Sequence, residues 1–212
     1  MRPLGFGVES GPEPGEAVPS PAQIRDIRTA DDDTFRLVTD LMSGCGMRNG
    51  EALAVNINTI VADDVHRITG HVNQTTKTHA PLKHRKAGDY RDIPLLTRIR
   101  NSVESYTDTH GTVDGYLLRH PRDLSRPMPN RHIANQWKQI KNNRLVQIPQ
   151  GMAVYGLRHF FASNCLSHNL PITDVAEWMG HRNIDITFKI YRHLMPGSIG
   201  RATQVLDLGL AA

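Results

Sequence analysis

Two arginines lie inside apolar stretches of this sequence. Arg48 falls in residues 44–53 and Arg158 in residues 154–161, each beside hydrophobic residues that are expected to be buried. Burying a guanidinium is costly unless an anion pairs with it. One interpretation is an arginine paired with a carboxylate in the core, and Glu51 could serve either arginine. The other is an anion site, because the planar guanidinium matches the oxygens of a phosphate group.

A histidine and a tyrosine ten residues apart form a second group with possible chemistry. His181 follows Gly180, a residue type that often ends helices, and Tyr191 lies in a stretch with helical apolar spacing. A tyrosine hydroxyl, with a pKa of ~10, is a weak nucleophile until it is positioned and partly deprotonated. Taken singly, each residue is more often a packing or capping residue, so the pair alone is a weak indication of catalysis.

Two basic stretches stand out on a chain of modest net charge, +4 at pH 7 with a pI of about 9.3. Residues 77–91 contain five lysines and arginines against one acid, and residues 119–144 contain seven against one. Either stretch alone could be a solvated face. Together they predict a surface that binds a polyanion.

The remaining composition limits the protein class. No stretch approaches the ~20 apolar residues that span a bilayer. The two cysteines, Cys45 and Cys165, form neither a CxxC pair nor a disulfide framework, which fits a reducing, intracellular setting. No HExxH motif or paired Cys/His pattern is present, so no metal site is predicted. Four histidines are spread over a predicted sheet and are interpreted as residues that lie at the surface or face the polyanion: His66, His71, His79 and His84.

These candidates must be positioned by predicted helices and a small sheet. Residues 1–20 are rich in proline and glycine and predict a flexible tail, with order beginning at an N-cap and first-turn proline, Ser20 and Pro21. Gly44 and Gly46 are expected to break the first long helix. Helical spacing of apolar residues places helices near residues 35–42, 48–53, 96–106, 133–140 and from 157 onward.

Between these helices, residues 65–72 and 90–95 alternate like short strands, with a turn at residues 87–89. They predict an antiparallel sheet of two or three strands. The fold class is therefore mainly α with a small antiparallel β-sheet insert, that is, α+β.

Five short motifs occur in one order along the chain. They are Gly-Met-Arg-x-x-Glu-Ala-Leu, Lys-x-Gly-x-x-Arg-x-Ile-Pro-Leu, Leu-Arg-His-x-x-Ala-Ser, Met-Gly-His and Ile-Tyr-x-His-Leu. Each motif is weak, but the ordered set is strong. In this order and spacing the sequence resembles the catalytic domain of the tyrosine recombinases, the phage integrase family, over roughly residues 20–200.

The resemblance assigns five catalytic residues. Arg48 and Arg158 match the two catalytic arginines, Lys86 matches the lysine of a β-hairpin, His181 matches the histidine of the Gly-His motif, and Tyr191 matches the nucleophile. Three further residues match other positions: Lys83 as a second candidate for the lysine, and Glu51 and His159 as supporting residues. The resemblance also directs attention to basic residues expected to contact DNA: Lys83, Arg85, Arg91, Arg131 and Arg182.

One position departs from the family pattern. Tyr155 stands three residues before Arg158, where the family usually has histidine. A tyrosine hydroxyl can hydrogen-bond a phosphate oxygen, but with a pKa of ~10 it cannot serve as a cation or easy proton shuttle near pH 7. This departure affects the role expected of Tyr155 rather than the activity that the five catalytic residues imply.

The resemblance implies a reaction. Tyr191 would attack a DNA phosphodiester and form a 3′-phosphotyrosyl intermediate, which conserves the bond energy, so that neither a metal nor ATP nor any other cofactor is needed. The arginines and His181 would neutralise charge on the non-bridging oxygens, and Lys86 would donate a proton to the 5′ oxygen.

The resemblance also implies partners and boundaries. Double-stranded DNA recombination sites are the expected substrate, with a tetramer on synapsed DNA, a monomer without DNA, and accessory DNA-bending or directionality proteins, in a prokaryotic cytoplasm. The expected domains are a tail at residues 1–20, a catalytic domain at residues 21–200, and a tail or packing helix at residues 201–212. That last segment could pack on a neighbouring subunit or on its own domain. Without a separate N-terminal DNA-binding domain, weak DNA binding is expected.

Two alternatives remain open at the level of the sequence. A type IB topoisomerase-like strand-passing enzyme would share the chemistry and differ in its products. A degenerate recombinase fold could act as a non-catalytic DNA-binding regulator, which Tyr155 leaves possible, although retention of all five catalytic matches argues against it.

Overall fold

The computed structural model describes residues 17–83, 86–142, 146–192 and 203–204. Two compact units make up the chain, the first ending at Phe161 and the second beginning at Ala162. His84, Arg85 and the predicted tail helix, apart from residues 203–204, fall outside the described residues. Within the described part, no helix combines the length and apolar character needed to cross a membrane.

The helices of the first unit follow the predicted spacing. They are α1 (Pro21–Arg28), α2 (Asp33–Cys45), α3 (Asn49–Ala52), α4 (Thr97–His110), α5 (Asn130–Asn142) and the start of α6 (Gly156–Ser167). The first helix starts where predicted, because Ser20 caps α1 in a reciprocal capping box with Gln23 and Pro21 occupies the first turn. The side chain of Asp32 caps α2 by accepting from the backbone N–H of Phe35.

The end of α2 differs from the prediction in one respect. Gly44 was expected to break this helix but lies inside it, where a Cβ would clash with the side chain of Ile99. The helix ends instead at Gly46, whose φ of 65° is the left-handed conformation that glycine adopts without strain. This turn sets the direction in which Met47 and Arg48 leave the helix.

In the described part of the chain, the strands form three small sheets rather than the single sheet that was predicted. Their strands are β1 (Ile60–Ala62), β2 (Val65–Ile68), β3 (Gly70–Val72), β4 (His79–Pro81), β5 (Arg91–Pro94), β6 (Arg119–His120) and β7 (Asp123–Pro127). One sheet has the order β1-β2-β5, and β3-β4 and β6-β7 form two-stranded sheets, all antiparallel. The predicted strand at residues 65–72 is therefore divided between two sheets.

The core of the first unit lies between α1, α2 and α4, with α5 against α2. Phe35 and Trp137 stack with ring centroids 6.3 Å apart. Ile99 and Val103, from the predicted apolar spacing of α4, are fully buried, whereas Leu96 is exposed because it precedes the first turn. The short helix α3 packs against α2 and β3.

The second unit contains the end of α6, α7 (Ile172–Trp178) and α8 (Ile184–Tyr191). The side chain of Asn183 caps α8 by accepting from the backbone N–H of Asp185. The mainly helical architecture with small antiparallel sheets agrees with the fold class predicted from the sequence.

His66 does not lie at the surface as predicted. It is 1% exposed on β2, and its Nε2 lies 3.0 Å from the Thr59 hydroxyl oxygen. Burial lowers the pKa of His66 from 6.5 to about 4, although a hydrogen bond donated by the imidazole to the backbone of Asn56 opposes the shift. This histidine is therefore a neutral core residue at pH 7.

Candidate functional site

The first predicted arginine occupies the N-cap position of α3. Its backbone N–H donates to Oε2 of Glu51 at 2.8 Å, and its Nη1 donates to Oε1 at 2.9 Å. Glu51 is buried, whereas about a third of the Arg48 side chain is exposed. The carboxylate thus holds both the backbone and the guanidinium of Arg48 at the beginning of this short helix.

Glu51 holds a second arginine as well. Arg91 on β5 donates from Nη1 to Oε1 at 3.2 Å and from Nη2 to Oε2 at 2.7 Å. Arg91 was expected to contact DNA, but it is only 4% exposed and its guanidinium is committed to Glu51, so that prediction is wrong. The cause is strand periodicity, because β5 turns Arg91 and Ile93 inward and Asp92 outward.

Arg158 on α6 is fully buried, and its Nη1 donates to the carbonyl oxygen of Gly46. Burial lowers the pKa of Arg158 to about 10; the charge of Arg48 also lowers it, whereas Glu51 raises it. Arg158 therefore remains a cation at pH 7. We call Arg48, Glu51, Arg91 and Arg158 the arginine cluster.

The cluster carries three positive charges around one carboxylate. Burial alone would raise the pKa of Glu51, but the charge and hydrogen bonds of Arg91, together with the charges of Arg48 and Arg158, lower it to about 2. Glu51 is thus an anion throughout the physiological range, and the cluster has a formal net charge of +2. Such a site is suited to an anion with delocalised oxygens, such as a phosphodiester.

Tyr155 and His159 lie beside Arg158 at the start of α6. The ring of Tyr155 meets the ring of His159 edge to face, with centroids 5.1 Å apart, and the Arg158 guanidinium carbon lies 5.8 Å from the Tyr155 centroid. His159 is buried, whereas Tyr155 is exposed. The residue that departs from the family pattern is therefore next to the cluster and accessible to solvent.

Two close contacts fix α3 in its place. A Cβ at Gly50 would lie 3.0 Å from the carbonyl oxygen of Val72 on β3, which is as near as a side chain can come. The amide of Asn49 donates to the side-chain oxygen of Asn130 at the beginning of α5. Arg131, the next residue of α5, is exposed.

The predicted lysines lie on the loop between β4 and β5. Lys83 and Lys86 are both exposed, and the backbone N–H of Lys86 donates to Oδ2 of Asp89 at 3.0 Å. The loop ends directly before Arg91, so one end of it is attached to the arginine cluster through β5.

In the second unit, His181 follows Gly180, whose φ of 64° ends the preceding turn. Its Nδ1 lies 2.7 Å from the hydroxyl oxygen of Thr187, and its backbone N–H donates to the carbonyl oxygen of Ala176 at 3.0 Å. Thr187 is fully buried on α8. Sequence reasoning did not identify Thr187, although its position one helical turn before Tyr191 would have been a usable signal.

Tyr191 is the last residue of α8 and is 2% exposed. Arg182, predicted to contact DNA, is exposed. Across the described ranges, no group of three or more His, Cys, Asp or Glu side chains is arranged to hold a metal ion.

The sequence is similar to a known protein family and to curated proteins. Residues 20–197 match the model of the phage integrase family. The tyrosine recombinase XerD of Staphylococcus saprophyticus is 26% identical over 173 residues, covering 77% of this chain and 51% of the relative. The XerD of Staphylococcus haemolyticus is 29% identical over 165 residues, covering 75% and 50%. The chain thus spans about half the length of these relatives.

Solved structures share the fold. A Tn1549 transposon integrase bound to transposon right-end DNA has a TM-score of 0.71 and 17% identity, covering 97% of this chain and 69% of that one. The catalytic domain of bacteriophage HP1 integrase has a TM-score of 0.62 and 18% identity, covering 92% and 98%. With a family match over most of its length and the same fold, this chain belongs to the phage integrase family.

Proposed function

We propose that this chain is the catalytic domain of a site-specific DNA recombinase that cuts and rejoins DNA through a 3′-phosphotyrosyl intermediate. The observation that carries the proposal is the arginine cluster, where Arg48 and Arg158 from two distant motifs share one anion-binding environment. The domain is proposed to extend from residue 21 to residue 200.

In the proposed reaction, the Tyr191 oxygen forms a bond to phosphorus and the bond from phosphorus to the 5′ oxygen breaks. The tyrosine proton leaves to solvent, and Lys86 donates a proton to the departing 5′ oxygen, with Lys83 as the second candidate. Because one ester replaces another, the bond energy is retained and the reverse reaction rejoins the strands without ATP.

Arg48 and Arg158 neutralise the charge that grows on the non-bridging oxygens, and loss of one such group typically costs ~10²–10³ in rate. His181 assists from its Nε2, since its Nδ1 is engaged by Thr187. Glu51 and His159 are proposed to support the arginines and the Tyr155 hydroxyl to bind a phosphate oxygen, which the nearness of the Tyr155 ring to His159 and to the Arg158 guanidinium supports.

We propose double-stranded DNA as the partner, on the support of the DNA-bound integrase with the same fold and of the exposed basic residues Lys83, Arg131 and Arg182. Arg85 shares this proposal, although it lies outside the described residues. Contacts to the phosphate backbone give affinity that falls with salt and carries little sequence information. The proposed assembly is a tetramer on synapsed sites and a monomer without DNA, in a prokaryotic cytoplasm.

The test is covalent trapping. A pool of nicked duplexes with a randomised central region is incubated with the protein, so that cleavage near the nick releases a short 5′-hydroxyl fragment and leaves the protein attached. Protein-linked DNA is captured under denaturing conditions, amplified and re-selected until one site dominates. Label on the 5′ side of the break must remain with the protein if the link is to a 3′ phosphate.

Tyr191→Phe is expected to abolish the covalent adduct. The matched control is Tyr90→Phe, which changes an exposed tyrosine whose ring lies under the guanidinium of Arg67, and this variant should retain the adduct. If wild-type protein enriches DNA only by non-covalent capture, the chain is a DNA-binding regulator and the proposal fails. Relaxation of supercoiled DNA without exchange between two copies of the selected site would indicate topoisomerase-like activity instead.

A further inference from the structure

The arginine cluster contains one more arginine than the two that match the catalytic pattern. Arg91 and Glu51 are both nearly inaccessible, and both Nη atoms of Arg91 bind the two oxygens of Glu51. The same two oxygens accept from the backbone and side chain of Arg48. Glu51 is therefore a bridge between Arg91 and the arginine proposed to bind the scissile phosphate.

We propose that Arg91 is a positioning residue that orients Arg48 through Glu51 and ties the loop carrying Lys86 to the phosphate site. The inference rests on the proposed function and adds to it a residue that does not touch the DNA. Arg91 is the first residue of β5, directly after this loop, and its backbone pairs with Ile68 of β2. One buried ion pair thus connects the end of the loop with the beginning of α3.

Charge supports this role. If Glu51 had Arg48 as its only close partner, one carboxylate would largely cancel one catalytic guanidinium. With Arg91 also bound, the charge of Glu51 is divided between two arginines, and the cluster keeps a formal net charge of +2. This net charge of +2 matches the charge of −2 that a phosphodiester, itself singly negative, reaches as the tyrosine oxygen attacks it.

The geometry also supports orientation. A buried carboxylate bound by two nitrogen atoms of Arg91 cannot rotate without breaking charge-assisted hydrogen bonds. Glu51 in turn fixes both the backbone N–H and Nη1 of Arg48, so the guanidinium direction is set before DNA binds. Small displacements of such a group, ~1 Å, can cost ~10²-fold in rate.

The chain offers a matched control on the same sheet. Arg67 on β2 also binds a carboxylate of β5 through two nitrogen atoms, since its Nε and Nη2 donate to the oxygens of Asp92 at 2.8 and 2.9 Å, but on the solvent side. Asp92 directly follows Arg91, and successive strand residues face opposite sides. Arg67→Met therefore removes an equivalent ion pair from these strands without touching Glu51.

The experiment uses the selected nicked substrate in single-turnover reactions with Arg91→Met, Arg91→Lys and Arg67→Met. Cleavage is measured at saturating protein, and DNA affinity is measured separately. Arg91→Met should reduce the cleavage rate by about 10–100-fold, the range for a displaced catalytic group, with an affinity change under about threefold. Arg91→Lys should fall between this variant and wild type, and Arg67→Met should cleave at the wild-type rate.

A second substrate separates positioning from folding. When the scissile phosphate is replaced by an uncharged methylphosphonate, there is less charge for Arg48 to neutralise, so the deficit of Arg91→Met relative to wild type should shrink at least severalfold. A loss caused by general unfolding would affect both substrates equally and would overturn the inference.

Other outcomes are equally decisive. A folded Arg91→Met protein with wild-type cleavage, or one that loses affinity but not rate, would refute the positioning role. If Arg91→Met does not fold, Arg91→Lys decides, and wild-type cleavage by that variant would refute the role. Absence of an adduct with wild-type protein would instead contradict the proposed function, so the two failures are distinguishable.

Discussion

Acid should destabilise the first unit through one buried histidine. His66 is almost completely inaccessible, and its pKa is lowered by burial from 6.5 to about 4. Between these two pH values the unfolded chain binds a proton that the folded chain excludes. Stability is therefore complete above pH 6.5 and is lost as the pH falls towards 4.

The size of the effect follows from the two pKa values. A difference of 2.5 pKa units corresponds to about 3 kcal/mol when fully developed, and at pH 5 linkage gives about 2 kcal/mol. This is a large fraction of the free energy that holds an ordinary domain together. The pairing of β2 with β5, the strand that carries Arg91, should weaken with it.

The assay is urea unfolding of wild type and His66→Gln at pH 7 and pH 5. Glutamine keeps an amide near the Thr59 hydroxyl but has no proton to gain, so its stability should fall by about 2 kcal/mol less than that of wild type. His168→Gln, a change at an exposed histidine, controls for the general effect of pH. Equal losses in wild type and His66→Gln would refute the reasoning.

Three further predictions follow from individual contacts. Thr187→Val should slow DNA cleavage about tenfold, because it removes the hydrogen-bond partner of His181 Nδ1 and a tenfold loss corresponds to the energy of one buried hydrogen bond. Thr187→Ser keeps the hydroxyl and should keep the wild-type rate and pH profile. Equal cleavage rates for the two variants would contradict this prediction. Gly46→Ala should cost at least about 2 kcal/mol in the free energy of urea unfolding, because the left-handed φ alone costs alanine ~1 kcal/mol and its Cβ would also lie 2.5 Å from the Phe161 ring; a cost of ~1 kcal/mol or less would contradict the clash. Arg131→Ala should lower the slope of log affinity against log salt by about 1, as expected for one lost phosphate contact, and an unchanged slope would exclude that contact.

Much of the fold could be predicted from the sequence because helix caps, apolar spacing and strand alternation involve residues close together in the chain. The Ser20 cap, the apolar spacing around Ile99 and Val103, and the alternation in β5 all depend on neighbours within a few residues. The division of residues 65–72 between two sheets could not be predicted, because strand partners are chosen by distant segments. Gly44 was misjudged for the same reason, since Ile99, 55 residues away, fills the space that a side chain would need.

By itself, the sequence determined the ordered motifs and the identities of Arg48, Lys86, Arg158, His181 and Tyr191 as the residues to test. It could not assign partners to charges. Only the tertiary structure decided that Glu51 joins Arg48 to Arg91, that Arg91 is buried rather than facing DNA, and that Thr187 holds His181. The physical reason is that residue type fixes which interactions a side chain can form, whereas burial and long-range packing decide which partner it forms them with.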